Sequence, residues 1–164
     1  MPLGLISAPA HGAASEDIGE AGGGAGEGMN NVRLDQSIRQ IEGIEGDIEG
    51  QAGAWRFAFQ GHQVYILTDE TADRTRIMVP IIELKDLDQA ALLRLMQTNF
   101  DSALDARYAI AQEVLWSAFL HPLAALADEE FSAGFVQTVT LAATYGTSYG
   151  SGALKFRGGD SPEQ

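Results

Sequence analysis

The sequence contains no cysteine. That removes disulfide crosslinks, a thiolate nucleophile and cysteine-ligated metal together. Positive charge is scarce: ten Lys and Arg stand against 23 Asp and Glu, a formal net charge of −13. A field of that sign repels phosphate backbones and anionic membrane surfaces, so neither nucleic acid nor membrane is an expected partner. Only three histidines occur, His11, His62 and His121, with no paired spacing, so no metal site is expected. No Gly-x-Ser-x-Gly elbow marks a serine nucleophile, and no Gly-Lys-Ser/Thr follows the glycines to cradle a phosphate. No apolar run approaches the roughly 20 residues of a membrane span. The first residues, MPLGLISAPAHGAA, lack a basic lead and are broken by Pro2, Gly4 and Pro9, so they do not read as a secretory signal. The expected location is the cytoplasm.

What is present is enough for one core. The 164 residues suit a single domain, and 45% are hydrophobic. The aromatic residues lie after residue 54. Residues 1–28 hold eight of the 19 glycines and no aromatic. Such a segment cannot offset the entropy of ordering itself, roughly 1–2 kcal/mol per residue for the backbone. It is read as a disordered, acidic, glycine-rich extension. The folded domain is expected over 29–156, with a disordered tail at 157–164.

Hydrophobic spacing then predicts the elements. Asn30 or Asn31 caps a first helix with Leu34, Ile38 and Ile41 on one stripe. GIEGDIEG reads as a loose linker. AWRFAFQ alternates, with Trp55, Phe57 and Phe59 on one face. A turn at Gly61 and His62 leads to VYILT, and the polar loop DETAD leads to RTRIMVPIIEL. There Pro80 marks an edge or the end of pairing. Asp86 or Asp88 caps a second helix carrying Leu92, Leu95, Met96 and Asn99. Two further strands follow, RYAI and EVLWSAFL, joined by AQE. Asp128 caps a last helix with Phe131, Phe135, Val139 and Ala142 inward. The order α-β-β-β-α-β-β-α is an α+β fold: a five-stranded antiparallel sheet with three helices.

Candidate chemistry sits mostly on that sheet. Asp69, Glu70 and Asp73 at a loop tip read either as a solvated turn or as a carboxylate pair, and the exposed tip favours the turn. Arg74, Arg76 and Arg107, with Arg56, read either as stems covering apolar surface or as contacts for an anion. Both faces of VYILT are apolar (Val64 and Ile66 on one, Tyr65 and Leu67 on the other), as are both faces of the strand holding Trp116 and Phe119. Three helices do not roof both faces of such a sheet. The exposed side is therefore expected to meet a second copy of the chain or a partner segment. Val64, Tyr65, Ile66, Leu67, Trp116 and Phe119 are the candidate partner-binding residues.

The element order resembles that of the type III secretion chaperones, and VYILTDETADRTRIMVPI, LLRLMQTNFDSALDARYAI, EVLWSAFLHPLAAL and TYGTSYGSGALKF are similar to the chaperone-like proteins grouped with them (CesT-like and YbjN-like). The resemblance spans about residues 30–156. It implies a homodimer without catalysis or cofactor that binds an extended segment of a protein client, or, as in the YbjN-like group, a regulator or scaffold in signalling. The chain departs from those chaperones in its long glycine-rich N-terminal extension. A receptor or enzyme for a small anion, using the sheet arginines, is the alternative from the residues themselves.

Overall fold

A computed structural model describes residues 28–151. The glycine-rich extension up to residue 27 and everything after Ser151, with Leu154 and Phe156, lie outside the described residues. The elements are α1 (Asn31–Arg39), β1 (Ile44–Gln51), β2 (Ala54–Phe59), β3 (His62–Asp69), β4 (Arg74–Glu83), a 3₁₀ turn at Leu84–Asp86, α2 (Gln89–Asp101), β5 (Arg107–Ala111), β6 (Val114–His121) and α3 (Asp128–Ala143). All strands pair antiparallel in one sheet, ordered β1-β2-β3-β4-β6-β5.

The sheet has six strands, one more than expected. The additional strand is β1, formed by the GIEGDIEG stretch read as linker. Three glycines and three acids around Ile44 and Ile48 hide its alternation. The strand exists because β2 supplies a partner: Ile44 lies opposite Phe59, and Glu49 opposite Arg56. An ion pair between Glu49 and Arg56 and a bond from the Gly61 amide to Glu45 Oε1 (3.2 Å) hold it there. Tertiary context has overridden a poor local propensity. At Gly50 a Cβ would stand 2.1 Å from the Ala54 carbonyl oxygen, so the tight return into β2 requires glycine.

Helix starts follow the sequence with one change. Asn30 Oδ1 accepts from the amides of Val32 and Arg33, both at 3.0 Å, and Asp88 Oδ1 accepts from Ala91 N at 2.7 Å. For α3 the cap position is Ala127, whose amide donates to Glu130 Oε2 at 2.9 Å. Asp128 is displaced from the expected capping role because its carboxylate is engaged elsewhere. It accepts from Ser37 Oγ at 2.8 Å and pairs with Arg33 at 3.4 Å, tying α3 to α1.

The core lies on one side of the sheet. Trp55 and Phe57 of β2, Val64 and Ile66 of β3, Ile77 and Val79 of β4, and Leu115 and Phe119 of β6 are buried there. Leu34 and Ile38 of α1 and Phe131, Phe135 and Val139 of α3 cover them. Pro80 sits within a central strand but still ends a ladder. Pairing of β3 with β4 stops at Tyr65 and Met78, and the β4–β6 register shifts between Pro80 and Ile82. Helix α2 stands at the β5 end of the sheet. Its Asn99 side chain accepts from Tyr108 N at 2.7 Å and donates to Tyr108 O at 3.1 Å, acting as a one-residue substitute for a further strand.

Candidate functional site

Residues paired across an antiparallel ladder share a face, so the registers define the side of the sheet opposite the core. One row crosses from Arg107 of β5 through Ala118, Met78 and Tyr65 to Arg56 of β2. The next runs Leu120, Arg76, Leu67, Ala54, and a third places Ala109, Trp116 and Pro80 together. No helix among the described residues lies on these rows. The Tyr65 and Trp116 rings meet edge-on across β4, centroids 5.9 Å apart, and Trp116 Nε1 donates to the Ala111 carbonyl at 3.0 Å. The outcome is an apolar floor with Leu67 (38% exposed) and Leu120 (57% exposed) standing up from it.

The six residues proposed from sequence therefore divide. Tyr65, Leu67 and Trp116 face away from the core. Val64 and Ile66 do not: both are fully buried, on the alternate positions of the same strand. Phe119 is also in the core, and its ring fills a notch in α3. A Cβ built on Gly134 would come within 2.7–2.8 Å of three Phe119 ring atoms. Those three are structural residues, and Leu120, their exposed neighbour, takes Phe119's place on the open face.

The acids at the β3–β4 tip hold the fold together. Asp69 Oδ1 accepts from Ala72 N (2.9 Å), closing the turn. Glu70 Oε1 accepts from Asn31 N (3.0 Å) at the start of α1, and Asp73 Oδ1 accepts from Ala124 N (2.7 Å) in the segment leading to α3. Backbone donors from two other segments thus occupy these carboxylates. The sequence signals a wet loop there, but not the long-range amides it clips.

The arginines share the open face without converging on one point. Arg74 and Arg76 line a shallow depression of about 250 Å³ with Leu67, Thr68, Asp69 and Ala72. Arg107 belongs to a separate cleft of about 380 Å³ beside Asp105, His121 and Glu130. Arg56 pairs with Glu49, whose carboxylate raises the guanidinium pKa above its ordinary value, with help from the Tyr65 hydroxyl. Among the described residues Arg74, Arg76 and Arg107 make no ion pair. His62 lies on β3 and His121 at the end of β6, while His11 is outside the described residues. Within the described residues no three His, Asp or Glu side chains group as a metal site would need.

Two surfaces went unread in the sequence. A groove of about 640 Å³ runs between α1 and α3, floored by Phe59, Phe131 and Phe135 and rimmed by Gln36, Gln40 and Val136. The other lies on α2, where Leu93, Met96 and Phe100 are 60%, 58% and 76% exposed. They form an outward stripe at helical spacing, opposite buried Leu95 and Thr98. Spacing alone groups Met96 with Leu92 and Leu95, but the helix turns Met96 outward and buries Thr98 beside Leu95 instead. No helix among the described residues is long and apolar enough to cross a membrane.

No protein-family model matches this sequence, and no curated protein matches it significantly. Among solved structures, it is similar to a chain in the structure of the HopA1–SchA chaperone–effector complex. The two share 11% sequence identity with a TM-score of 0.52, over 68% of this chain and 88% of that one. At that identity the likeness is one of fold: three helices and an antiparallel sheet.

Proposed function

We propose that this protein is a non-catalytic, chaperone-like binding module that holds a segment of another protein on the open face of its sheet. The observation that carries the reading is the apolar floor of Tyr65, Met78, Pro80, Trp116 and Ala118 with Leu67 and Leu120 above it. Such a surface has a cost in water, roughly 25 cal/mol per Å² of apolar area, and a bound segment recovers it. The shared fold with a chain of a chaperone–effector complex supports the same role by likeness.

The module acts as a homodimer. The Leu93, Met96 and Phe100 stripe on α2 is exposed in the single chain, and an isologous helix pair would bury it. It lies at the β5 end of the sheet and leaves the open face free. The bound protein is a client kept soluble or, in the regulator reading, a signalling protein held in place.

The test is co-purification from the native host. Wild-type protein should retain a partner through gel filtration, and Leu67→Asp with Leu120→Asp should lose it while melting unchanged. Retention of the partner by the double variant would remove the open face from the account. A small-anion receptor is the less favoured reading, because Arg74 and Arg76 line a different depression from Arg107.

A further inference from the structure

The charge on the open face is opposite to that of the chain. Eight Lys and Arg fall among the described residues, and four of them, Arg56, Arg74, Arg76 and Arg107, stand on this one face of a protein whose net charge is −13. Acids on the same face are Glu45 and Glu49 on β1, Asp69 on β3 and Glu83 at the end of β4, the last paired with Lys85. Glu49 is taken by Arg56, Glu45 by the Gly61 amide and Asp69 by the Ala72 amide. Arg74 Nη1 donates only to the adjacent Asp73 carbonyl, and Arg107 Nη1 to that of Ala106. The cations over β4 and β5 thus make no ion pair among the described residues, although Asp69 shares the depression of Arg74 and Arg76, and Asp105 and Glu130 line the cleft of Arg107.

Their placement is tied to the apolar floor. The register sets Arg76 directly between Leu67 and Leu120, the two residues that stand up from the face. Neighbouring strands lie about 4.8 Å apart, so Leu67 and Leu120 are separated by roughly 10 Å with a guanidinium between them. Arg107 ends the row through Ala118 and Met78. Beside Leu67 are two depressions that accept a side chain each. One, of about 220 Å³, is formed with Tyr65, Ala54 and the Arg56–Glu49 pair, and the other, of about 250 Å³, with Arg74, Arg76 and Asp69.

From this we infer that the segment held on the open face is acidic: a stretch of a partner protein in which Asp or Glu alternates with large apolar side chains, the carboxylates meeting Arg74, Arg76 and Arg107. The inference rests on the open-face reading above and adds the chemistry of the occupant. A face-to-face second copy is disfavoured, because a two-fold axis would bring like arginines together. Selectivity comes from the arginines and the bulk of the affinity from the apolar floor. A basic segment of equal hydrophobicity would be rejected by the same groups.

Fluorescence anisotropy tests this with short labelled peptides of one apolar pattern, carrying Glu, Gln or Lys at the intervening positions. The full-length protein should bind the Glu peptide about tenfold more tightly than the Lys peptide, with the preference weakening as salt rises. Arg74→Glu with Arg76→Glu should reverse the order, and Leu67→Asp with Leu120→Asp should abolish binding of every peptide. Circular dichroism confirms that both exposed double variants are folded. Equal binding of the three peptides, still lost in the leucine variant, would overturn the acidic occupant and leave the open face standing. Absence of binding by all three would overturn both. Binding that emerges only after removal of residues 1–27, or only on dissociation of an oligomer, would identify the chain's own acidic segment or a second copy as occupant and overturn the inference.

Discussion

The Asn99 carboxamide satisfies both outward-facing backbone groups of Tyr108, at 2.7 and 3.1 Å, and so covers the β5 edge of the sheet at that position with one side chain. The opposite edge, β1, has no such cover from a described side chain. Its protection is compositional: Glu45, Asp47 and Glu49 with interspersed glycines make a poor template for another strand.

Asn99→Ala should therefore expose the Tyr108 amide and carbonyl. The expected loss is about 1–3 kcal/mol in urea unfolding, since buried backbone groups are left unpaired. Concentration-dependent self-association through the freed edge should accompany it in light scattering. A variant of unchanged stability would show that water replaces the carboxamide at no cost.

Helix α3 reaches β6 only because position 134 has no side chain. Gly134→Ala places a methyl against the Phe119 ring, and overpacking of this kind costs about 1–3 kcal/mol. The gain in helix propensity, about 1 kcal/mol, is smaller than the upper part of that range. Net destabilisation by thermal melting is the expected result. Stabilisation would mean that the ring moves aside freely.

The dimer prediction concerns α2. Met96→Glu with Phe100→Asp should convert a dimer to a monomer in sedimentation velocity, with monomer stability changed by no more than about 0.5 kcal/mol because both side chains are exposed. A wild-type protein that sediments as a monomer at all concentrations would remove this interface.

The pH dependence has a definite sign. The Tyr108 hydroxyl donates to the Leu141 carbonyl at 2.9 Å, and burial raises its pKa well above the ordinary tyrosine value, with Tyr149 adding to the shift. Tyr145 is raised as well, again chiefly by burial. A neutral hydroxyl is thus kept in the folded state while the unfolded chain ionises near pH 10. The stabilisation is complete below that pH and is lost as the solution becomes more alkaline. Tyr108→Phe should be less stable at neutral pH by about 1 kcal/mol, for the lost hydrogen bond. It should also show a shallower alkaline decline, measured by denaturant midpoints across pH 8–11.

Hydrophobic period carried most of the architecture in the sequence. Leu34 with Ile38, Trp55 with Phe57, and Phe131, Phe135 and Val139 are all buried as their spacing implies. The same alternation indicated that β3 and β6 are apolar on both sides, but not which side the helices take. That choice depends on contacts distant in sequence, such as Gly134 over Phe119, so the sequence alone leaves Val64, Ile66 and Phe119 among the candidate partner-binding residues although all three are buried. β1 was illegible for a related reason. Its pairing comes from β2 and from the Glu49–Arg56 ion pair, while its own residues favour a turn. The carboxylates at 69–73 revealed their local chemistry but not their partners, since Asn31 and Ala124 lie 39 and 51 residues away from the acids they bond.

The absence of native cysteine makes the surface that holds the partner directly measurable. A photoactivatable crosslinker can be placed on a single introduced cysteine, at Leu67→Cys on the open sheet face or at Val136→Cys beside the α1–α3 groove, in the native host extract. A discrete adduct from position 67, with none from position 136, is the predicted result. Adducts from position 136 alone, or none from position 67, would contradict it.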